Sequence, residues 1–109
     1  VQQIQSSMGA FAAILFDGSV ITWGKATFGG DSTAVQDQLR DVRQIQAAPE
    51  AFAAILSDGS VVSWGNADLG GESSEVQHRL RHVQQIQASK RVFAAILDDG
   101  SVVTWGDAD

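Results

Sequence analysis

A chain of 109 residues is one small domain's worth of polypeptide, and its 44% apolar content suits a folded rather than a disordered protein. Thirteen acidic against seven basic side chains give a net charge of -6, which argues against binding a nucleic-acid backbone or docking by charge on an anionic membrane. The absence of cysteine excludes disulfides, thiol catalysis and thiolate-bound zinc, and the longest apolar run, Ala10 to Phe16, is far shorter than the roughly 20 residues of a spanning helix.

The chain is a tandem repeat. Phe11, Phe52 and Phe93 recur at one fixed interval, and Trp23, Trp64 and Trp105 recur at the same interval. Repeats 1–41 and 42–82 agree at 24 of 41 positions without a gap, and a partial third copy covers 83–109. That copy stops before the stretch that runs from Leu69 to His82 in the second. Three strand groups are therefore joined by two connectors, and the expectation is that a further copy was cut away or that another chain supplies it. The start at Val1 rather than Met fits a processed or excised chain, or part of a longer one.

Within each copy the elements follow in a fixed order. Val42 to Ala47, with β-branched residues and mixed polarity, predicts a first strand, and Ala48-Pro49-Glu50 a turn. Ala51 to Leu56 is apolar on both alternating faces, as in a strand covered on both sides. Asp58-Gly59 between two apolar runs signals a two-residue hairpin loop, repeated at Asp17-Gly18 and Asp99-Gly100. Ser60 to Trp64 is the third strand. The two-residue loop pairs Ile55 with Val62 and Ala53 with Trp64, so each tryptophan is expected to lie over the small alanines of its own hairpin. After Gly70-Gly71, a short helix from Ser73 or Ser74 to Arg81 is expected, with Val76, Leu80 and Val83 on one face. The first copy repeats that spacing at Val35, Leu39 and Val42.

No residue set spells out a reaction. His78 and His82, at i and i+4, have a metal-binding spacing but lack a third ligand and the glutamate of a zinc protease motif. Asp98-Asp99-Gly100-Ser101 has part of a calcium loop without the rest of its spacing. The turn itself accounts for the recurring aspartates, and no phosphate loop or nucleophile elbow is present. No cofactor and no metal are expected. Trp23, Trp64 and Trp105, at one position in apolar strands, together with Phe11, Phe52 and Phe93, read as repeated core rather than as a stacking platform for sugars or bases. Phe16 stands just before its turn where the other copies have Ser57 and Asp98, and is a candidate partner contact. Lys90 and Arg91, in one of the loops where the copies differ most, are two more; Met8-Gly9 and Pro49-Glu50 are the corresponding loops.

Ala54 to Gly65, an apolar strand, an Asp-Gly turn and a strand ending in Trp-Gly, resembles the repeat of the regulator of chromosome condensation family. Val42 to Ala47 is similar to that family's inner strand. The resemblance thus runs from Val42 to Gly65 and through the matching stretches of the other copies. This repeat is shorter, has Phe52 where the family often has His, and replaces the family's longer Gly-Leu-Gly segment by the Gly70-Gly71 connector. The resemblance implies a propeller-blade unit and a non-catalytic role. Members of the family act as exchange factors on a small GTPase or as interaction domains of ubiquitin ligases; none of the loop residues serving those roles can be placed in this sequence, and no functional residue is carried over.

The expected architecture is mainly β: tandem three-stranded antiparallel units with short connecting helices, propeller-blade-like or stacked as a solenoid, and incomplete in one chain. A closed propeller takes at least about four blades, and this chain offers fewer than three full repeats. The expected function is that of a non-catalytic structural repeat whose partner is itself, assembling head to tail into a ring or a filament. A filament would favour an extracellular setting. The alternative is a protein-interaction module from a larger propeller-like regulator or receptor.

Overall fold

The computed structural model describes residues 3–25, 31–65, 79–89 and 92–106. Each copy folds into its own three-stranded antiparallel sheet with the strands in sequence order. The first sheet is β1 (Gln3–Ser6), β2 (Ala10–Ile14) and β3 (Val20–Gly24). The second is β4 (Val42–Ala48), β5 (Ala51–Leu56) and β6 (Val61–Gly65). The third is β7 (Val83–Ala88), β8 (Val92–Leu97) and β9 (Val102–Gly106). All nine strands fall where the apolar patterns place them.

The hairpin register differs from the expectation by one residue. Val61 pairs with Ile55, Val62 with Ala54, and Trp64 with Phe52 rather than Ala53. The loop has three residues, Ser57, Asp58 and Gly59: the Gly59 amide donates to the Leu56 carbonyl and the Leu56 amide to the Ser60 carbonyl. Only the glycine takes positive φ, 85° at both Gly18 and Gly59, as in a type I turn closed by a left-handed residue. A one-residue shift moves every side chain of the third strand to the other face. Each tryptophan therefore stacks on the phenylalanine of its own hairpin instead of covering the alanines.

The connector also differs. Thr33–Gln38 is a 3-10 helix, not an α-helix. So short a segment does not nucleate an α-helix readily, and the narrower 3-10 turn spans more distance per residue. Ser32 occupies the N-cap position without capping; its hydroxyl donates to Gln36 Oε1, 2.7 Å away, and lies 2.9 Å from Thr22 Oγ1. Asp31 instead accepts from the Thr33 amide and hydroxyl. Gln36 donates to the Val20 carbonyl, tying the connector to the edge of the first sheet. Leu39 lies beyond the helix and Val42 within β4, yet both are buried in one cluster, with Val35 packed against it. The corresponding helix expected from Ser73 or Ser74 falls largely outside the described residues.

The core consists of the seams between sheets. One cluster joins Ala10, Ala12, Ile14 and Val20 of the first sheet to Ile45, Phe52, Ala54, Val62 and Trp64 of the second. The other joins Ala51, Ala53, Ile55 and Val61 of the second sheet to Ile86, Phe93, Ala95, Val103 and Trp105 of the third. The two seams are the same structure, displaced by one repeat. Their backbone links repeat too: the Val42 amide donates to Gly18 O and the Val83 amide to Gly59 O, both at 2.9 Å. The Ser57 amide donates to Asp41 O and the Asp98 amide to His82 O. Asp41 and His82 reach these links with φ of 53° and 55°.

Successive sheets meet through their first and second strands. β1 and β2 lie against β4, and β4 and β5 against β7, while no third strand comes as close to a strand of another sheet. Gln3 Oε1 accepts from the Ile45 amide at 3.5 Å, and Arg43 donates to the Val83 carbonyl at 3.0 Å. The sheets thus fan out from β1, β4 and β7, as propeller blades do from their innermost strands. The molecule is flat, 33 × 33 × 19 Å.

Candidate functional site

Each sheet has two apolar faces of different character. The leading face carries the aromatic pair; in the second sheet it holds Ile45, Phe52, Ala54, Val62 and Trp64. The trailing face carries small and β-branched residues; in the same sheet it holds Ala51, Ala53, Ile55 and Val61. The pairings Phe52 with Trp64 and Ala54 with Val62 put the first set on one side, and Ile55 with Val61 puts the second on the other. At each seam a leading face packs on the trailing face of the preceding sheet.

The aromatic pair is built alike three times. The Phe–Trp ring centroids are 5.4 Å apart in every copy, with interplanar angles of 18°, 25° and 26°. What differs is the cover. Phe52 and Phe93 are fully buried, and Trp64 and Trp105 are 4% and 6% exposed. Phe11 and Trp23 are each 44% exposed, and Ile4 and Ile21 beside them are about half exposed. The register places all four on the leading face of the first sheet. At the other end, Val102, the counterpart of buried Val20 and Val61, is 52% exposed, and Val92, Ala94 and Ile96 are only partly buried. Two apolar faces of complementary kind are thus open at opposite ends of the array.

Of the six repeated aromatic residues, four are therefore buried in the seams and two are exposed. Phe11 and Trp23 form an exposed stack, with no sheet packed on it among the described residues. Sequence reasoning did not single out Ile4, Ile21 or Val102. Identical residue types in three copies carry no mark of which copy is terminal; only the copy count held that signal.

The turn residues lie in the three-residue hairpin loops. Asp17, Asp58 and Asp99 each accept from the hydroxyl at 2.6 Å and the amide at 2.9 Å of the serine two residues on. These bonds, the hydroxyl's first, favour the carboxylate and hold all three below the usual value. The aspartates are fully exposed and committed to their turns. Phe16 is exposed at the first hairpin tip, close to Gly18, whose carbonyl receives Val42. Met8, in the β1–β2 loop, is also exposed, and its amide donates to the Pro49 carbonyl at 2.7 Å, so the variable loops of the first two sheets meet. Lys90, Arg91 and His78 lie outside the described residues.

Among the described residues no three acidic, His or Cys side chains converge as a metal site. A cleft of about 440 Å³ beside the last seam is lined by Arg79, Arg81, His82, Leu97, Asp98 and Asp99. Both signs of charge alternate there, and no single class of ligand is selected. No buried side-chain nitrogen or oxygen among the described residues lacks a hydrogen-bond partner, so the seams are closed by apolar packing.

Neither a family model nor a curated protein matches the sequence. Solved structures do match. Prp20p of Saccharomyces cerevisiae, a protein characterised for its binding to Gsp1p and histones, is 21% identical and superposes with a TM-score of 0.70 over 95% of this chain and 30% of its own. Human WBSCR16 matches at 19% identity and TM-score 0.68, over 95% and 33% of the two chains. The CRINKLY WD40 ectodomain of the Arabidopsis thaliana receptor kinase ACR4 matches at 22% and 0.64, over 97% and 37%. The chain thus spans about a third of each of these proteins. The likeness shows the fold: three successive blades of a β-propeller, as in these proteins, in an array that is not closed.

Proposed function

We propose that this chain is a non-catalytic repeat module that assembles head to tail, the leading face of one copy seating on the trailing face of another. One observation carries the reading: the same pair of faces is buried against each other twice inside the chain and left open once at each end. An uncovered apolar face of this kind is a characteristic of interaction surfaces. A face that already fits its complement at two seams is matched to a further copy of that complement. Light scattering of the purified chain at micromolar concentration tests the proposal. Assemblies of integral multiples of the chain mass are expected, and a folded monomer would refute it.

The second reading is a protein-interaction module, supported by the propeller neighbours, one of which binds Gsp1p and histones. Specificity would then reside in the loops where the copies differ, Met8-Gly9 and Pro49-Glu50. Exchanging these loops between copies should abolish capture of a defined partner while leaving self-association intact.

A further inference from the structure

We infer that Asp58–Gly59 is a latent site of backbone isomerisation, held off by Ser60, and that its conversion to isoaspartate opens the seam between the second and third sheets. Asp17–Gly18 stands in the same relation to Ser19 and the first seam.

The chemistry needs only solvent water. The Gly59 amide nitrogen bonds to Asp58 Cγ, and the carboxyl hydroxyl leaves with the amide proton as water, giving a succinimide ring. Water then adds to one of the two ring carbonyls. Opening at Cγ restores aspartate. Opening at the backbone carbonyl breaks the original Asp58–Gly59 peptide bond, and the main chain then runs through Cβ and Cγ. The product is isoaspartate, an isomer with one extra methylene in the backbone and a free α-carboxylate. Glycine favours the ring closure because it has no Cβ to hinder the approach of its nitrogen. The chain carries the Asp-Gly pair three times, at the same position of each hairpin, and each time serine follows.

Three features of the folded hairpin oppose the first step. Asp58 Oδ1 accepts from the Ser60 hydroxyl at 2.6 Å and the Ser60 amide at 2.9 Å, which turns the carboxyl group toward the serine. Those bonds also favour the charged carboxylate, which is a poor acceptor of the amide nitrogen. The Gly59 amide donates to the Leu56 carbonyl at 2.9 Å and must give up that bond to reach Cγ. Finally, Gly59 is buried, and its carbonyl accepts from the Val83 amide at 2.9 Å. A Cβ placed on Gly59 would lie only 2.8 Å from the His82 Cα, so the glycine has no room to swing toward the next sheet. Ring closure therefore waits for the loop to open locally.

The same contacts couple the product to the seam. With one more methylene between Asp58 and Gly59, the Gly59 amide cannot stay on Leu56 while the Gly59 carbonyl stays on Val83. The Val83 bond is one of the backbone links that join the second and third sheets, so the modification acts on the seam as well as on the hairpin.

The test incubates the folded chain at neutral pH and measures isoaspartate at each hairpin by peptide mapping with mass spectrometry. Wild type, Ser60→Ala and Ser60→Thr are compared. Ser60→Ala should raise the rate at Asp58 at least about tenfold, because a hydrogen bond to a charged group shifts the opening equilibrium by that factor or more. The rate at Asp17 in the same molecule should not change, and Ser60→Thr, which keeps the hydroxyl, should stay near the wild-type rate. An unaltered rate at Asp58 in Ser60→Ala, or a rise shared equally by Asp17, overturns the role of the serine. Should Ser60→Ala lose β-structure by circular dichroism, Ser19→Ala is measured in its place, with Asp58 as the unchanged hairpin. Wild type unfolded in urea should isomerise at Asp58 at least about tenfold faster than the folded chain; equal rates overturn protection by the fold. In the isoaspartate form of Asp58, separated by chromatography, the Val83 amide should lose its protection from hydrogen exchange while the Val42 amide, bonded to Gly18, keeps it. Retained protection at Val83 overturns the coupling to the seam.

Discussion

The phenylalanines at positions 11, 52 and 93 offer an internal comparison that isolates the seam. The residue, the strand and the 5.4 Å stack on tryptophan are the same in all three copies. Only the cover differs: Phe52 and Phe93 are fully buried against the preceding sheet, and Phe11 is 44% exposed. Replacing a fully buried phenylalanine by alanine costs about 3–5 kcal/mol, the lost transfer energy plus the cavity. At position 11 no enclosed cavity forms. Full burial of a large apolar side chain contributes about 1.5–3 kcal/mol, so slightly more than half of that, about 1–2 kcal/mol, is at stake. Urea unfolding followed by circular dichroism, at a concentration low enough to keep the chain monomeric, measures the three variants. Phe52→Ala and Phe93→Ala should lower stability by about 1–4 kcal/mol more than Phe11→Ala. On the proposed head-to-tail pairing, the Phe11→Ala deficit should grow toward that of the other two as concentration rises, since a second copy would then cover the site. Equal losses at all three positions in the monomer would refute the argument that the seams, rather than the hairpins, hold the core.

The three turn aspartates titrate in a direction fixed by their serine bonds. Their folded values lie below the usual 3.8, so their contribution is fully present above that value and is lost as pH falls through the lowered folded values. Denaturant unfolding between pH 5 and pH 2 should show an acid limb that becomes shallower in the triple Asp17→Asn, Asp58→Asn, Asp99→Asn variant, which keeps the acceptor oxygens without the titration. Gly59→Ala and Gly100→Ala share the penalty of a left-handed residue, about 1 kcal/mol or more, because φ is 85° and 87°. Only Gly59→Ala also forces a Cβ within 2.8 Å of the His82 Cα, so its melting temperature should fall further in the monomer. Equal melting temperatures would refute the hairpin-to-sheet contact.

The strands were legible because each is bounded by chemistry that leaves few choices: Pro49 stops one, the Asp-Gly turns stop others, and the apolar run Ala51–Leu56 predicts a strand covered on both faces. The register was not legible from the Asp-Gly signal alone. A two-residue loop would need positive φ at both positions, and here Asp58 does not take it. The serine that follows each glycine was the available clue, since Ser19, Ser60 and Ser101 each donate twice to the aspartate and stabilise the longer loop. The connector failed for a different reason. Val35, Leu39 and Val42 match a helical face by spacing, and they do meet in one cluster, but they arrive there from a 3-10 turn, a loop and a strand. Apolar spacing reports which residues share a core; with so short a segment it does not fix the backbone that delivers them.

A tandem repeat separates two questions that a single domain merges: what a residue is made for, and whether it is so employed in a given copy. Trp23, Trp64 and Trp105 are made for the same contact, and their shared ring geometry shows that each hairpin prepares it without help from a neighbour. Preparation in the hairpin and cover from the seam are therefore separate steps. An exposed Trp23 already held in the buried pair's arrangement needs little further ordering when a trailing face arrives. The conformational entropy that usually opposes association is in large part spent on folding the hairpin. Substitutions that loosen the first hairpin should for that reason weaken pairing between copies even when they leave the exposed face chemically unchanged.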